Sequence, residues 1–330
     1  MDPLLDVKSL AVSLSGPHGP VPILHDVCLT VDEGELVGIA GESGCGKSMT
    51  AQTLLGLLPP GAQVSGSARF AGNELLSLDT KGWQRVRGAG IAMVFQDPTA
   101  ALHPMLTVGR QLTEHMRIHL RMSRRGATRR AVELLDQVRI PDPERALAAY
   151  PHQFSGGMRQ RVAIASALAA RPRLLIADEP TTALDVTVQA GILALLDRLR
   201  RETGLAVVFI THDLGVLNAL TTRSYVFYAG RVVETGPTGS LLTAPQHPYT
   251  AALLGARPHG RQAVGTLTPI PGSPPAAGEL PPGCAFAPRC AYVADTCRSG
   301  VPPLSPMGTD RAAACMIRPE LPMSQPEVAT

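Results

Sequence analysis

One short segment constrains the fold of this 330-residue chain more than any other. Residues 41–48 read GESGCGKS and follow the apolar run Leu36–Ala40, and the residues after them have helical spacing as far as about Leu57. Glycines in such a turn let backbone N–H groups point inward around phosphate oxygens, and the N-terminus of the following helix adds a favourable dipole. A strand, a glycine-rich turn and a helix in this order predict a phosphate-binding P-loop.

Lys47 and Ser48 are the P-loop residues that can carry chemistry. A lysine here reaches the β- and γ-phosphates of a nucleotide, and the serine hydroxyl can ligate magnesium. A glycine-rich turn without a ligand is the alternative, and composition disfavours it, because lysine occurs only at positions 8, 47 and 81. The predicted nucleotide-contacting residues of this segment are Gly41, Ser43, Gly44, Cys45, Gly46, Lys47, Ser48 and Met49.

Apolar runs alternate with helical patterns through residues 1–255, which predicts an α/β fold with a mixed sheet core covered by helices. The predicted strands are residues 4–14, 24–31, 36–40, 91–95, 174–177, 206–211 and 224–228. Between residues 95 and 174, helical spacing over 108–122, 129–138 and 156–169 predicts a helical subdomain at about 97–172. Residues 256–330 form a predicted C-terminal extension with little regular structure, because they hold 14 of the 30 prolines.

Composition excludes several classes of protein. Apolar residues make up 45% of the chain and charged residues 17%, which is too apolar for a disordered protein. The N-terminus carries acids where a secretory signal carries basic residues, and no apolar run approaches the ~18 residues that span a bilayer. We therefore expect a chain that is not exported, lies in a reducing compartment and does not cross the membrane alone.

Two carboxylates end the apolar segment at residues 174–177. In a P-loop protein this position places Asp178 near magnesium and Glu179 near the water that attacks the γ-phosphate. Two acids at the end of a strand could instead cap the next helix. The P-loop upstream favours the catalytic interpretation.

A third motif lies at residues 150–161, which read YPHQFSGGMRQR. Its Ser-Gly-Gly turn opens a helix and is therefore suited to bind an anion. The candidate functional residues occur along the chain in a fixed order. They are the P-loop, Gln96, Ser155, Gly156, Gly157, Asp178, Glu179, Asp185 and His212. This order resembles the nucleotide-binding subunit of ATP-binding cassette (ABC) transporters. Residues 150–161, 177–190 (ADEPTTALDVTVQA) and 210–216 (ITHDLGV) are similar to the oligopeptide/dipeptide importer ATPases, and the similarity continues through the C-terminal extension.

The resemblance implies a role for each matching residue. Gln96 would contact magnesium and couple to the membrane subunits. Residues 155–157 would touch the γ-phosphate of ATP held by a partner subunit, so that two subunits close head to tail. Asp185 would cross that interface, and His212 would hold the γ-phosphate and the attacking water. Without the resemblance, Gln96 is a solvated turn residue and His212 a structural histidine.

The same resemblance implies cofactors and partners. The chain would use ATP and Mg²⁺ to power the uptake of peptides or related small solutes through closure of an ATPase dimer. Its second ATPase subunit would be a non-identical paralogue, and two membrane permease subunits and an extracytoplasmic solute-binding protein would complete the assembly. The chain would be peripheral on the cytoplasmic face of the inner membrane. The cargo stays open between dipeptides, oligopeptides, nickel complexes and other solutes.

Three positions stand out against the family pattern. Leu14 lies where an aromatic residue usually stacks on adenine, so the base contact is weaker or supplied elsewhere. His103 lies where the family commonly has asparagine. Met158 replaces the glutamine of the general signature, as is usual in the peptide-importer branch.

An arginine-rich stretch lies at residues 116–130, and its density could mark a nucleic-acid surface. No aromatic residues interleave with these arginines to stack on bases, so a solvated helix face near membrane subunits is favoured. The net charge of +3 is likewise too small to indicate nucleic acid, and no such partner is expected. The six arginines are Arg117, Arg121, Arg124, Arg125, Arg129 and Arg130.

The cysteines of the C-terminal extension are Cys284, Cys290, Cys297 and Cys315. Their separations of five, six and seventeen intervening residues match no zinc knuckle. The resemblance implies that they ligate a 4Fe-4S cluster, structural or redox-sensing and remote from ATP chemistry. A zinc site and free thiols are the alternatives. The other two cysteines, at positions 28 and 45, are assigned to no metal.

Two other functions compete with this prediction. A soluble ABC-type ATPase acting in DNA repair or translation would typically carry a long coiled coil or a second cassette, and this sequence shows neither. A catalytically inactive regulatory subunit is disfavoured, because Lys47, Asp178, Glu179 and His212 are all present.

Overall fold

The computed structural model describes residues 2–182, 184–256 and 269–321. The strands in these ranges are β1 (Leu5–Gly16), β2 (Gly19–Val31), β3 (Leu36–Ala40), β4 (Gln63–Phe70), β5 (Asn73–Glu74), β6 (Ile91–Val94), β7 (Leu174–Asp178), β8 (Ala206–Thr211), β9 (Arg223–Tyr228), β10 (Arg231–Pro237), β11 (Ser305–Pro306) and β12 (Ala312–Ala313). The helices are α1 (Lys47–Leu54), α2 (Thr80–Val86), α3 (Pro98–Ala101), α4 (Val108–His119), α5 (Arg124–Gln137), α6 (Pro143–Ala146), α7 (Gly156–Leu168), α8 (Val186–Thr203), α9 (Leu214–Leu220), α10 (Thr238–Thr243) and α11 (Pro248–Gly255). Residues 257–268 and 322–330 of the predicted C-terminal extension lie outside the described residues.

A mixed eight-stranded sheet forms the centre of the described fold, in the order β11-β12-β10-β9-β3-β8-β7-β6. Neighbouring strands from β9 to β6 are parallel, and the pairs on the other side of β9 are antiparallel. Every residue of β3, β7 and β8 is buried, as expected for parallel strands covered on both faces. The predicted α/β fold with a mixed sheet core is therefore confirmed.

A smaller antiparallel sheet, in the order β2-β1-β4-β5, shares an apolar core with one face of the main sheet. Strand β4 was not predicted, because its sequence QVSGSARF is polar and mostly exposed. Strands β1 and β2 run longer than predicted, since their pairing continues through polar residues as far as Gly16 and Gly19. Strands β5, β10, β11 and β12 were also missed.

The helices α3 to α7 form a layer inserted between β6 and β7, and no strand interrupts it in the residues described, as predicted. Helices α4, α5 and α7 pack together through buried apolar side chains that include Leu112, Leu134 and Val162. Helix α5 begins at Arg124 rather than 129, because the Ser123 hydroxyl accepts a hydrogen bond from the backbone N–H of Gly126 at 3.2 Å and caps it. The subdomain limits of 97–172 remain a prediction.

The described part of the C-terminal extension, residues 269–321, contains only β11, β12 and two 3-10 turns, Ala287–Arg289 and Asp295–Arg298. Strand β12 pairs with β10 and so joins the extension to the main sheet. Phe286 packs edge-on against Tyr228 and Tyr249, with ring centroids 5.3 Å apart in both pairs. No helix in the described ranges is long and apolar enough to span a bilayer.

Candidate functional site

The P-loop connects β3 to α1 and lies at the carboxyl end of the parallel strands. Two of its glycines are required by close approach of other groups. A Cβ atom on Gly41 would lie 2.3 Å from the carbonyl oxygen of Phe227, and one on Gly46 would lie 2.6 Å from a Leu24 methyl group. Both residues also have positive φ angles, 153° and 103°, which favour glycine. Glycine is therefore required at both positions, because a larger residue would clash with its neighbours and strain the backbone.

Lys47 is held inside this loop. Its side chain is only 4% exposed, and its Nζ atom donates hydrogen bonds to the carbonyl oxygens of Gly41 and Glu42 at 2.8 and 2.9 Å. The same Nζ atom lies 4.0 Å from Oε1 of Glu179. Both hydrogen-bond partners are neutral carbonyl oxygens, and an ammonium group forms stronger, charge-assisted hydrogen bonds with phosphate oxygens.

Asp178 lies at the end of β7, where its carboxylate is buried and hydrogen-bonded by the Ser48 side chain. Burial raises the pKa of Asp178, and its Oδ1 atom has no hydrogen-bond partner among the described residues. A buried carboxylate oxygen without a partner is stabilised by a cation. Carboxylate and hydroxyl oxygens are the ligands that magnesium prefers, so Asp178 and Ser48 fit this ion.

The carboxylate of Glu179 is the centre of the site. Its Oε2 atom accepts hydrogen bonds from Gln96 Nε2 at 3.2 Å and from Thr182 Oγ1 at 2.9 Å, and it lies 3.3 Å from Nδ1 of His212. The structure therefore brings together predicted residues from the loops that follow β6, β7 and β8. Glu179 also has a φ angle of 44°, a left-handed conformation that costs about 1–3 kcal/mol in a residue with a side chain and is concentrated at functional sites.

Thr182 is a site residue that the sequence reasoning missed. Its hydroxyl makes the shortest of the hydrogen bonds to Glu179. The only sequence signal is its position three residues after the acid, which places it in the turn before α8.

The predicted signature residues, 155–157, lie at the N-terminus of α7. Ser155 is exposed and caps α7 by accepting a hydrogen bond from the Met158 N–H at 3.3 Å. No hydrogen bond or ion pair joins residues 155–157 to the P-loop or to Glu179 in the part of the chain that the structure describes. Asp185 is likewise exposed and caps α8 through the Val188 N–H at 2.8 Å. Ser155 and Asp185 are therefore accessible to a ligand that is not bound in this chain's own P-loop.

The C-terminal extension reaches the P-loop through a contact between Arg289 and Glu42. Arg289 forms two ion-pair hydrogen bonds with the carboxylate of Glu42, at 2.6 and 2.9 Å. Neither residue was predicted as part of the site, because they are 247 positions apart and no motif links them.

The four cysteines of the extension line one small cavity, together with His247 and Phe286. Burial raises the pKa of the Cys284 and Cys290 thiols, and Cys297 is buried. No group of three or more His, Cys, Asp or Glu residues within the described ranges has an arrangement that could hold a metal ion. The cysteines therefore share a location, but not the geometry of a formed metal site.

The residues that depart from the family pattern have local roles. Leu14 is partly buried against the core that contains β1 and β2. His103 accepts a hydrogen bond from the Met105 N–H at 3.2 Å, and Met158 packs against the core of the helical layer. Five of the six clustered arginines are exposed, and the sixth, Arg130, pairs with Glu133 at 3.0 Å.

Two families match this chain. Residues 24–182 match the ABC transporter family, and residues 233–297 match the C-terminal region of oligopeptide/dipeptide transporters. The second match includes part of β10, α10 and α11 and three of the four clustered cysteines.

Curated relatives match over almost the whole chain. The oligopeptide transport ATP-binding protein OppD of Mycobacterium tuberculosis is 51% identical over 323 residues, which are 97% of this chain and 53% of that protein. The protein of the same name from Escherichia coli is 46% identical over 314 residues, which are 95% of this chain and 93% of that protein. The chain thus spans about half the length of the mycobacterial relative and nearly all of the E. coli one.

Solved structures share the fold. A dimeric, post-hydrolysis structure of the ATP-binding cassette MJ0796 bound to ADP and Pi aligns with a TM-score of 0.64 at 31% identity, covering 71% of this chain and 98% of that one. The protein cbiO1 of Clostridium perfringens, part of an ABC transporter complex, aligns with a TM-score of 0.62 at 28% identity, covering 73% and 91%.

Proposed function

This chain belongs to the ABC transporter family, as its motifs predicted, and from that premise we propose that it is the ATP-hydrolysing subunit of an importer of peptides or related small solutes. The observation that carries the proposal is the Glu179 carboxylate, which lies 4.0 Å from the Lys47 ammonium and contacts Gln96 and His212. A carboxylate at this place, beside a phosphate-binding loop, is suited to act on water next to a γ-phosphate. The relatives named for oligopeptide transport support the class of cargo, and they do not support a role in DNA repair or translation.

Hydrolysis would proceed by direct attack of water on the γ-phosphate, without a covalent enzyme intermediate. Lys47 neutralises charge that develops on the phosphate oxygens. Ser48 and Asp178 would hold magnesium, which when bound adds charge neutralisation between the phosphates. Glu179 accepts a hydrogen bond from the attacking water and polarises it, and His212 orients the water and the γ-phosphate.

The active unit would be a dimer of two ATPase subunits. Residues 155–157 and Asp185 form no bond with this chain's own P-loop in the described residues, and Ser155, Gly156 and Asp185 are exposed, which supports a role at ATP bound by the partner. The related cassette MJ0796 is dimeric in its solved structure. We propose a non-identical paralogue as the second ATPase, with two membrane permease subunits and an extracytoplasmic solute-binding protein.

The location follows from this assembly. The chain would be peripheral, bound to the permeases at the cytoplasmic face of the inner membrane. Purification of the intact complex, followed by measurement of which solute stimulates its ATPase activity, would identify the cargo.

Lys47→Ala tests the nucleotide site. The full chain carrying this change should lose most of its affinity for Mg²⁺-ATP, on the order of a hundredfold, because the buried counter-charge to the phosphates is gone. Equilibrium titration with a fluorescent ATP analogue measures the effect. Lys81→Ala, at an exposed lysine outside the site, is the matched control and should bind normally. Unchanged affinity in Lys47→Ala would contradict the proposed function.

We further propose that Cys284, Cys290, Cys297 and Cys315 ligate a 4Fe-4S cluster. The cavity that all four cysteines line supports this proposal. Anaerobically purified protein should absorb broadly near ~400 nm and contain about four irons per chain. Serine at any one of the four positions should remove the absorbance, whereas Cys28→Ser should not. Colourless protein with stoichiometric zinc would establish a zinc site instead, and metal-free protein would establish free thiols.

A further inference from the structure

The P-loop residue Glu42 is held at each of its polar groups. Its carboxylate receives both arms of the Arg289 guanidinium, at 2.6 and 2.9 Å. Its backbone N–H donates to the Tyr249 hydroxyl at 2.9 Å, and its carbonyl oxygen accepts from Lys47 Nζ at 2.9 Å. The position of Lys47 is therefore linked to the C-terminal extension through one residue.

Arg289 is itself fixed in place. Its side chain is 5% exposed, and its Nε atom donates to the carbonyl oxygen of Pro271 at 2.8 Å. Its guanidinium lies over the rings of Tyr228 and Phe286, 5.8 and 6.0 Å from their centroids. A planar guanidinium with a bidentate carboxylate partner fixes that partner in both distance and orientation.

We infer that Arg289 is a positioning residue for the nucleotide, which holds Glu42, and through it the Lys47 ammonium, in the geometry that receives phosphate. The inference rests on the proposed function. It makes the C-terminal extension part of the nucleotide-binding apparatus. The role differs from a simple anchor for the extension, because an anchor would affect stability and leave nucleotide affinity unchanged.

A double-mutant cycle on the full chain separates these roles. Arg289→Gln and Glu42→Gln should each weaken Mg²⁺-ATP binding on the order of tenfold, the scale of one charge-assisted hydrogen bond. The double variant should be no weaker than either single variant, because both remove the same interaction. In the assembled transporter, KM for ATP should rise while turnover at saturating ATP is retained. Additive losses in the double variant would overturn the inference.

The ion pair between Arg311 and Glu234 provides a matched control. It also joins the extension to the main sheet, with the nearest atoms 3.3 Å apart, and among the described residues neither partner forms a hydrogen bond or ion pair with the P-loop. Arg311→Gln should lower the melting temperature and leave ATP affinity unchanged. If Arg289→Gln and Glu42→Gln behave in the same way, both pairs are anchors and the inference is wrong.

The outcomes also separate this inference from the proposed function. Failure of the wild-type chain to bind Mg²⁺-ATP, or unchanged binding by Lys47→Ala, would contradict the proposed nucleotide site and with it the proposed function. If the wild-type chain binds Mg²⁺-ATP normally, Lys47→Ala loses affinity and Arg289→Gln keeps it, only the positioning role of Arg289 is contradicted. Should Arg289→Gln fail to fold, Glu42→Gln tests the same link from the more exposed partner, whose side chain is 25% exposed.

Discussion

Glu179→Gln is expected to leave ATP binding close to that of the wild type and to lower the rate of hydrolysis on the order of a thousandfold. The amide has the shape of the carboxylate, so the hydrogen bond from the Thr182 hydroxyl can be retained. It is neutral and a far weaker base, and it therefore polarises the attacking water poorly. Phosphate release by the assembled transporter at saturating ATP measures the rate. ATP retained in complexes isolated by size exclusion measures the trapped state.

The control for this experiment is Glu202→Gln, which makes the same change at an exposed residue near the end of α8. Its turnover should equal that of the wild type. In a rival interpretation, the Glu179 carboxylate only organises its three hydrogen-bonding neighbours, Gln96, Thr182 and His212. That role would reduce thermal stability together with activity, and near-normal turnover in Glu179→Gln would exclude Glu179 as the group that polarises water.

The central strands could be predicted from the sequence because of where they lie in the sheet. Strands β3 and β8 were predicted at their observed bounds, since each is a run of residues buried on both faces and bounded by turns. Strand β4 gave no such signal, because an exposed polar strand of an antiparallel sheet lacks a continuous apolar run. Strand β10 ends in Thr-Gly-Pro, and these residues read as a turn.

The candidate site was predictable to the extent that its residues lie in local motifs. Lys47, Asp178 and Glu179 follow apolar strands whose carboxyl ends meet at one edge of a parallel sheet, so their proximity follows from the fold. The contact between Glu42 and Arg289 depends instead on how an irregular extension folds back over α11. The spacing of apolar residues along the chain carries no information about such a contact. Arg289 lies between Cys284 and Cys290 and belongs to no motif that would mark it as a site residue.

Ser155→Arg is expected to leave ATP binding by the isolated full chain nearly unchanged and to abolish the hydrolysis that depends on a second ATPase subunit. Ser155 is exposed at the N-terminus of α7 and makes no bond to this chain's own P-loop in the described residues. In the proposed dimer, an arginine side chain there would occupy the space between the signature turn and the partner's nucleotide. A fluorescent ATP analogue measures binding to the isolated chain, and phosphate release measures activity after assembly.

The capping role of Ser155 calls for a matched control, because loss of an N-cap alone destabilises a helix by about 1 kcal/mol. Ser123→Arg makes the same change at an exposed serine that caps α5 in the same layer, and it should retain assembly-dependent hydrolysis. Gly157 is less suitable, since a Cβ atom there would lie 2.7 Å from a Val188 methyl group and would disturb the packing of α8. Loss of ATP binding by the isolated Ser155→Arg chain would show that the signature turn serves this chain's own nucleotide, and the two-subunit site would then be wrong.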